Sequence, residues 1–78
     1  MINGLQIKMA RAALGLSLQD LAVSAGLSEK TIRRLEANGH SANGSMKTVN
    51  AIKNALEAAG IEFIGTPDNR PGIRITTK

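Results

Sequence analysis

The spacing of apolar residues changes once along the chain, at about Gly60. Before that point apolar residues recur every three or four positions, which is typical of helices, and glycines divide the pattern into four segments. In the first segment we expect Asn3 to cap a helix from about Gly4 to Leu14, and Gly15 to end it. The apolar face predicted for this helix consists of Leu5, Met9, Ala12 and Ala13.

Two short helices joined by a glycine come next in the sequence. Ser17 is expected to cap the first of them, with Asp20 completing a capping box, and Gly26 to end it. Ser28 is expected to cap the second, which runs to about Ala37. Two short helices joined by a tight glycine turn are typical of a helix-turn-helix. The apolar residues expected to fix the angle between them are Leu21, Leu27, Ile32 and Leu35.

A loop and a longer helix complete the helical part of the chain. The stretch 38–44 is rich in Gly, Asn and Ser, and is predicted to be a loop. Ser45 is expected to cap a fourth helix over residues 46–59, which Gly60 ends. The predicted apolar side of this helix consists of Met46, Val49, Ile52, Leu56 and Ala59. Both Met9 and Met46 are therefore expected in the core.

Beyond Gly60 apolar and polar residues alternate with a period of two, which is typical of strands. We predict a β-hairpin of strands 61–64 and 73–76, with residues 65–72 as the turn. One register pairs opposite charges and collects the apolar residues on one face, and it pairs Phe63 with Ile73, Glu62 with Arg74, and Ile61 with Ile75. The predicted fold is thus mainly α, with a helical domain over residues 1–60 and a C-terminal β-hairpin extension over 61–78.

Composition narrows the class of protein. The 78 residues make one folded unit at most, and a formal net charge of +4 with a pI of about 10.2 favours a polyanionic partner. The absence of cysteine excludes disulfides and thiolate zinc sites. No apolar run approaches the roughly 20 residues of a membrane span, and the first ten residues do not resemble a signal peptide. We therefore expect a cytoplasmic protein with no membrane partner.

Long polar side chains lie on one arc of the third helix, opposite Ile32 and Leu35. They are Glu29, Lys30, Arg33 and Arg34. A groove-reading helix needs this division, because Arg and Lys hydrogen-bond guanine and Glu accepts from cytosine. A solvated charged face is the simpler interpretation of such a run. The glycine turn, the small Ala22 between the helices and the basic composition favour DNA reading.

Residues 5–60 resemble the Cro/C1-type (XRE) family of bacterial and phage regulators. The matching elements are Arg11 four positions before Gly15, Gly15-Leu16-Ser17-Leu18, Leu21-Ala22, Gly26-Leu27-Ser28, Thr31-Ile32 and Leu35-Glu36. The resemblance implies a lambda-repressor-like helix-turn-helix domain that binds double-stranded DNA through the helix 28–37. The family commonly has a fifth helix, which the predicted hairpin replaces here.

The resemblance also implies roles for individual residues. Base contacts are expected from Ser28, Glu29, Lys30 and Arg34, with Arg33 near the backbone or a base. Phosphate contacts are expected from Gln19, Asn43, Ser45 and Lys47, with Gln19 standing next to the position where the family often has Gln. A buried ion pair is expected between Arg11 and Glu36, holding the first helix to the third rather than touching DNA.

Catalytic and metal chemistry is not indicated. His40 is the only histidine and lies in the predicted loop, where a solvated side chain is the simplest interpretation. The acidic residues show no close pairing suited to acid–base catalysis, and the glycine-rich stretches match neither a P-loop nor a dinucleotide fingerprint. We therefore expect no enzyme activity, no metal and no cofactor.

The hairpin is the candidate for self-association. A two-stranded hairpin is marginally stable alone, and helix-turn-helix proteins commonly bind palindromic sites as dimers. We expect a homodimer through Ile61, Phe63, Ile64, Ile73 and Ile75. The alternative is a hairpin that only covers the core of its own chain. The predicted function is a dimeric repressor. The alternatives are an antitoxin that binds DNA and also neutralises a partner toxin, or a module that retains the fold for protein interactions but no longer reads DNA. The protein partner would be a toxin or an activator.

Overall fold

Four helices and one hairpin make up the computed structural model, which describes residues 2–37, 46–66 and 69–76. The elements are α1 (Gly4–Leu14), α2 (Leu18–Ala25), α3 (Glu29–Ala37), α4 (Met46–Ala58), β1 (Ile61–Thr66) and β2 (Asn69–Ile75). The mainly helical fold class and the order of its elements are confirmed. The predicted loop 38–44 and the cap at Ser45 lie outside the described residues.

Local capping chemistry sets the helix boundaries. Asn3 Oδ1 accepts from the Gln6 amide at 2.9 Å, and Gln6 Oε1 accepts from the Asn3 amide at 3.0 Å. Ser17 and Asp20 form the same reciprocal box at the start of α2. Gly15 and Gly26 both have φ of 69°, the left-handed conformation in which glycine commonly ends a helix. The predicted caps of α1 and α2 are confirmed.

One aliphatic core joins all four helices and the hairpin. Its buried members are Ile2, Ile7, Ala10, Leu21, Ala22, Ile32, Leu35, Val49, Ile52, Leu56 and Ile61. The apolar face predicted for α1 is wrong: Leu5, Ala12 and Ala13 are exposed, and Met9 is half-buried. The helix instead buries Gly4, Gln6, Ile7 and Ala10. One physical reason is Gly4, which lets the start of α1 lie against the backbone of Leu35 in α3 and so turns this side of the helix inward.

The apolar side predicted for α4 is confirmed at its centre and wrong at its ends. Val49, Ile52 and Leu56 are buried. Met46 is 66% exposed, because it is the first residue of the helix and extends beyond the core. Ala59 is exposed and follows the last helical residue.

The predicted hairpin register is confirmed. Ile61 lies opposite Ile75, Glu62 opposite Arg74, and Phe63 opposite Ile73. The predicted turn 65–72 is too long, since the strands continue to Thr66 and from Asn69. A bulge makes this possible: Arg70 and Pro71 oppose Gly65, and Arg70 has a positive φ of 54°. Proline is tolerated in a strand at such a bulge.

The side chain of Gln6 joins the hairpin to α1. Gln6 Nε2 donates to the carbonyl of Ile64 at 3.2 Å and to that of Gly72 at 3.0 Å. Ile61 lies in the helical core, and Phe63 and Ile73 pack against it. The inward face of the hairpin is therefore part of the same core as the helices.

Candidate nucleic-acid interface

A closed glycine turn fixes α3 relative to α2. The Leu27 amide donates to Ala22 O at 2.9 Å, and the Gly26 amide donates to Val23 O at 3.3 Å. Both Leu21 and Ala22 are buried, and the small side chain of Ala22 leaves room for the turn to close. These bonds satisfy the last carbonyls of α2 and turn the chain directly into α3.

The two faces of α3 differ sharply. Ile32 and Leu35 are buried in the core. The long polar side chains Glu29, Lys30, Arg33 and Arg34 are all exposed. The body therefore holds α3 by one face and offers the opposite face to a ligand. This is the arrangement expected of a helix that enters the major groove.

One of the three cations on this face of α3 forms an ion pair among the described residues, and the other two do not. Arg33 Nη2 lies 3.9 Å from Glu29 Oε1, and both side chains are largely exposed, so the pair contributes little stability. Among the described residues, Lys30 and Arg34 form no ion pair within 4.0 Å. These two charges are available to a ligand without breaking a bond within the protein.

The hydroxyl of Ser28 caps α3. Ser28 Oγ accepts from the Thr31 amide at 3.2 Å and shares a hydrogen bond with Thr31 Oγ1 at 2.9 Å. The same hydroxyl is expected to contact a base. It must therefore either bond the base and the Thr31 amide together or give up its bond to Thr31. Thr31 is a further polar residue at the start of α3 that the sequence analysis did not single out as a site residue. Its position, three residues after the Ser28 cap, is the feature of the sequence that could have identified it.

Comparison with known protein families gives a match over residues 7–57 to the family model described as Helix-turn-helix. The match spans well over half of the chain. The chain belongs to the Cro/C1-type (XRE) helix-turn-helix family. Its members are DNA-binding regulators, and the family is not an enzyme family. No curated protein matches the chain significantly.

As an XRE-family domain, the chain places two of its expected phosphate-contacting residues at helix starts. Gln19 is exposed in the first turn of α2, and Lys47 is exposed in the first turn of α4. Helix N-termini favour phosphate because their free amides and dipole attract anions. The expected contacts from Asn43 and Ser45 lie outside the described residues. None of the helices in the described ranges is long and apolar enough to cross a membrane.

An ion pair joins α1 to α3. Arg11 Nε lies 2.9 Å from Glu36 Oε2, and Arg11 Nη2 donates to Glu36 Oε1 at 3.1 Å. Arg11 Nη1 also donates to Leu16 O, which ties in the turn before α2. The side chains are 21% and 9% exposed, so both groups lie largely inside the protein. Two parallel hydrogen bonds make this a bidentate Arg–carboxylate pair, which is stronger than a pair joined by a single hydrogen bond.

The hydrogen bond to Glu36 raises the pKa of Arg11, with burial opposing it and the negative charge of Glu36 adding to it. Because the pKa of Arg11 is raised on folding, the charged guanidinium contributes its full stabilisation at any pH below the ordinary arginine pKa. That stabilisation is lost only as the pH rises above this value. The guanidinium therefore stays charged at every pH at which a helical protein is normally studied.

Removal of this pair has a predicted cost. Glu36→Ala leaves Arg11 partly buried without its partner and should lower the free energy of unfolding by about 2 kcal/mol, less than a fully buried pair because Arg11 touches solvent. For a chain of this size that corresponds to a fall in Tm of about 10 °C. Glu29→Ala is the matched control, since its pair with Arg33 is exposed. Equal melting temperatures for the two variants would contradict the structural role of Glu36.

The residues expected at a dimer interface fall into three classes. Ile61 is buried in the core of its own chain and is 2% exposed as a whole residue, so the expected contact from it is corrected. Phe63 and Ile73 are half-buried against the core. Ile64 and Ile75 are 38% and 53% exposed, and these two have side-chain surface to bury against a partner.

Proposed function

We propose that this protein is a sequence-specific transcriptional repressor that binds a palindromic operator as a dimer and reads bases through α3. The main support for this proposal is that the two faces of α3 differ. Ile32 and Leu35 lie in the core, and four long polar side chains face outward. We place its activity in the cytoplasm, because a DNA-binding regulator acts where it meets its operator.

The chemistry of the outward face fits base edges in the major groove. Among the described residues Arg34 and Lys30 form no ion pair, so they can donate to O6 and N7 of guanine. Glu29 can accept from N4 of cytosine, and Arg33 can reach a base or a phosphate after leaving its weak pair with Glu29. Each such contact discriminates against the wrong base by about 1–3 kcal/mol.

Contacts to phosphate would hold α3 in its register on the duplex. Lys47 and Gln19 are exposed at the starts of two helices, and the net charge of +4 supplies long-range attraction. A dimer bound in this way at a promoter represses by occupying it. Its occupancy follows protein concentration, because dimerisation and DNA binding are linked by mass action.

Lys47→Ala should weaken binding to cognate and random duplexes by the same factor. The plot of log affinity against log salt concentration should become shallower by about one unit, because one phosphate contact fewer releases one counterion fewer. Fluorescence anisotropy from about 50 to 200 mM salt measures both quantities. The matched control is Lys53→Ala, which removes the same charge from α4 at a site paired with Glu57. Equal slopes for the two variants would contradict the role of Lys47.

The same titration of the wild-type protein tests the proposal itself. A DNA reader binds duplexes with affinity that falls steeply as salt rises, and it binds some sequences far more tightly than others. A domain that retains the fold for protein contacts but no longer reads DNA would show neither property.

A further inference from the structure

The outward face of α3 carries two stripes of charge. Residues four apart on a helix lie about 40° apart around its axis and face the same way. Glu29 therefore lies in line with Arg33, and Lys30 lies in line with Arg34. The second stripe is cationic throughout, whereas the first carries one charge of each sign. The two stripes consequently suit different arrangements of base edges.

The carboxylate of Glu29 costs affinity on a surface that approaches phosphates. Duplex DNA is a polyanion, so this negative charge weakens binding to all sequences alike. The cost is offset only where Glu29 accepts a hydrogen bond, and in the major groove only N4 of cytosine and N6 of adenine donate. Against guanine or thymine, whose edges carry acceptors, the carboxylate would lose its water and gain no bond. Glu29 therefore favours cytosine or adenine.

The position of Arg33 selects between these two bases. Arg33 Nη2 lies 3.9 Å from Glu29 Oε1, so the tips of the two side chains place a donor beside an acceptor. A C·G base pair presents the complementary arrangement, because N4 of cytosine donates and O6 of guanine, its partner across the pair, accepts. The guanidinium can donate to both O6 and N7 of that guanine. An A·T pair offers it only single acceptors, N7 and O4, on either side of N6.

We propose that Glu29 and Arg33 read one C·G base pair together, with Glu29 accepting from the cytosine and Arg33 donating to its guanine. This rests on the proposed DNA-reading function and names one base pair of the operator half-site. Arg33 then reaches its base without leaving Glu29, whereas contact with a phosphate would break the pair. Because a G·C pair exchanges the donor and the acceptors, the two side chains also select which strand carries the cytosine.

Parallel selections from a random duplex pool, with the wild type, Glu29→Gln and Arg33→Ala, test whether the two side chains share a base pair. Both side chains are exposed and their pair contributes little to stability, so the variants should melt near the wild-type temperature. Glutamine keeps an acceptor but adds an amide donor, so it can also bond guanine or thymine. We expect both variants to lose preference at the same base pair of each half-site and to keep the others.

The matched control is Glu57→Gln. It makes the same chemical change in an exposed pair of the same spacing on α4, where Glu57 Oε2 lies 3.8 Å from Lys53 Nζ. This variant should select the same sequences as the wild type.

Affinities for two operators give the size of the effect. Reversing the selected C·G pair to G·C should weaken wild-type binding by about 5- to 150-fold. Glu29→Gln and Arg33→Ala should each discriminate at least about fivefold less between the two operators, the lower end for one base contact.

Three results would overturn the inference, and they have different meanings. Preference lost at two different base pairs would show that Glu29 and Arg33 read separately, while base reading by α3 remains intact. Unchanged preferences for Glu29→Gln would show that Glu29 contacts no base. A wild-type protein that enriches no sequence would remove the proposed function together with the inference. Preference lost at one shared base pair, with Glu57→Gln unchanged, supports joint reading.

Discussion

Gly4→Ala should lower the free energy of unfolding by about 3 kcal/mol, the upper part of the range for overpacking. A Cβ at this position would overlap the carbonyl oxygen of Leu35 and lie 3.1 Å from the Cα of Glu36. Both are backbone atoms of α3, so no side chain can rotate away. To accept the methyl group, α1 has to move off α3, which also strains the bond between Arg11 and Glu36.

Gly72→Ala is the matched control for this prediction. It makes the same chemical change, but a Cβ at Gly72 meets no atom within 4 Å, and its φ lies outside the left-handed region. Thermal denaturation should give a Tm about 15 °C lower for Gly4→Ala and nearly unchanged for Gly72→Ala. A Gly4→Ala protein that melts within about 2 °C of wild type would show that the α1–α3 contact is loose.

Arg34→Ala should weaken binding to the cognate operator by about 5- to 150-fold, which corresponds to about 1–3 kcal/mol. Arg34 is exposed on α3 and free of ion pairs among the described residues, so its guanidinium can make both hydrogen bonds to one guanine. The variant should tolerate any base at one position of each half-site, and its binding to random DNA should fall much less.

The opposite result is expected for Lys47→Ala, which should weaken cognate and random binding alike. Measuring both variants on both kinds of duplex separates base reading from phosphate contact. If Arg34→Ala also loses cognate and random binding by the same factor, Arg34 is a phosphate ligand and a different residue reads that base.

Features set by local chemistry could be predicted from the sequence. The caps at Asn3 and Ser17, and the turn at Gly26, depend on side chains within a few positions of the helix end. The outward face of α3 follows from Ile32 and Leu35, because the buried pair fixes the opposite arc. The hairpin register followed from matching Glu62 with Arg74.

Features set by distant contacts could not be predicted in the same way. Alanine-rich α1 has more than one apolar face, and distant contacts such as that of Gly4 with α3 select among them. Gln6 looks like an ordinary polar helix residue, yet it is buried and bonds two hairpin carbonyls far along the chain. Pro71 suggested a turn, because the bulge that admits it to a strand leaves no local pattern.

Selection of bound duplexes from a random DNA pool will show whether this domain reads a two-fold symmetric sequence through α3. The selection should run at about 150 mM salt, where weak electrostatic binding is screened. We expect enrichment of an inverted repeat with half-sites about 10 base pairs apart, or a multiple of that spacing. Recovery of unenriched sequences, with binding that disappears as salt rises, would contradict it.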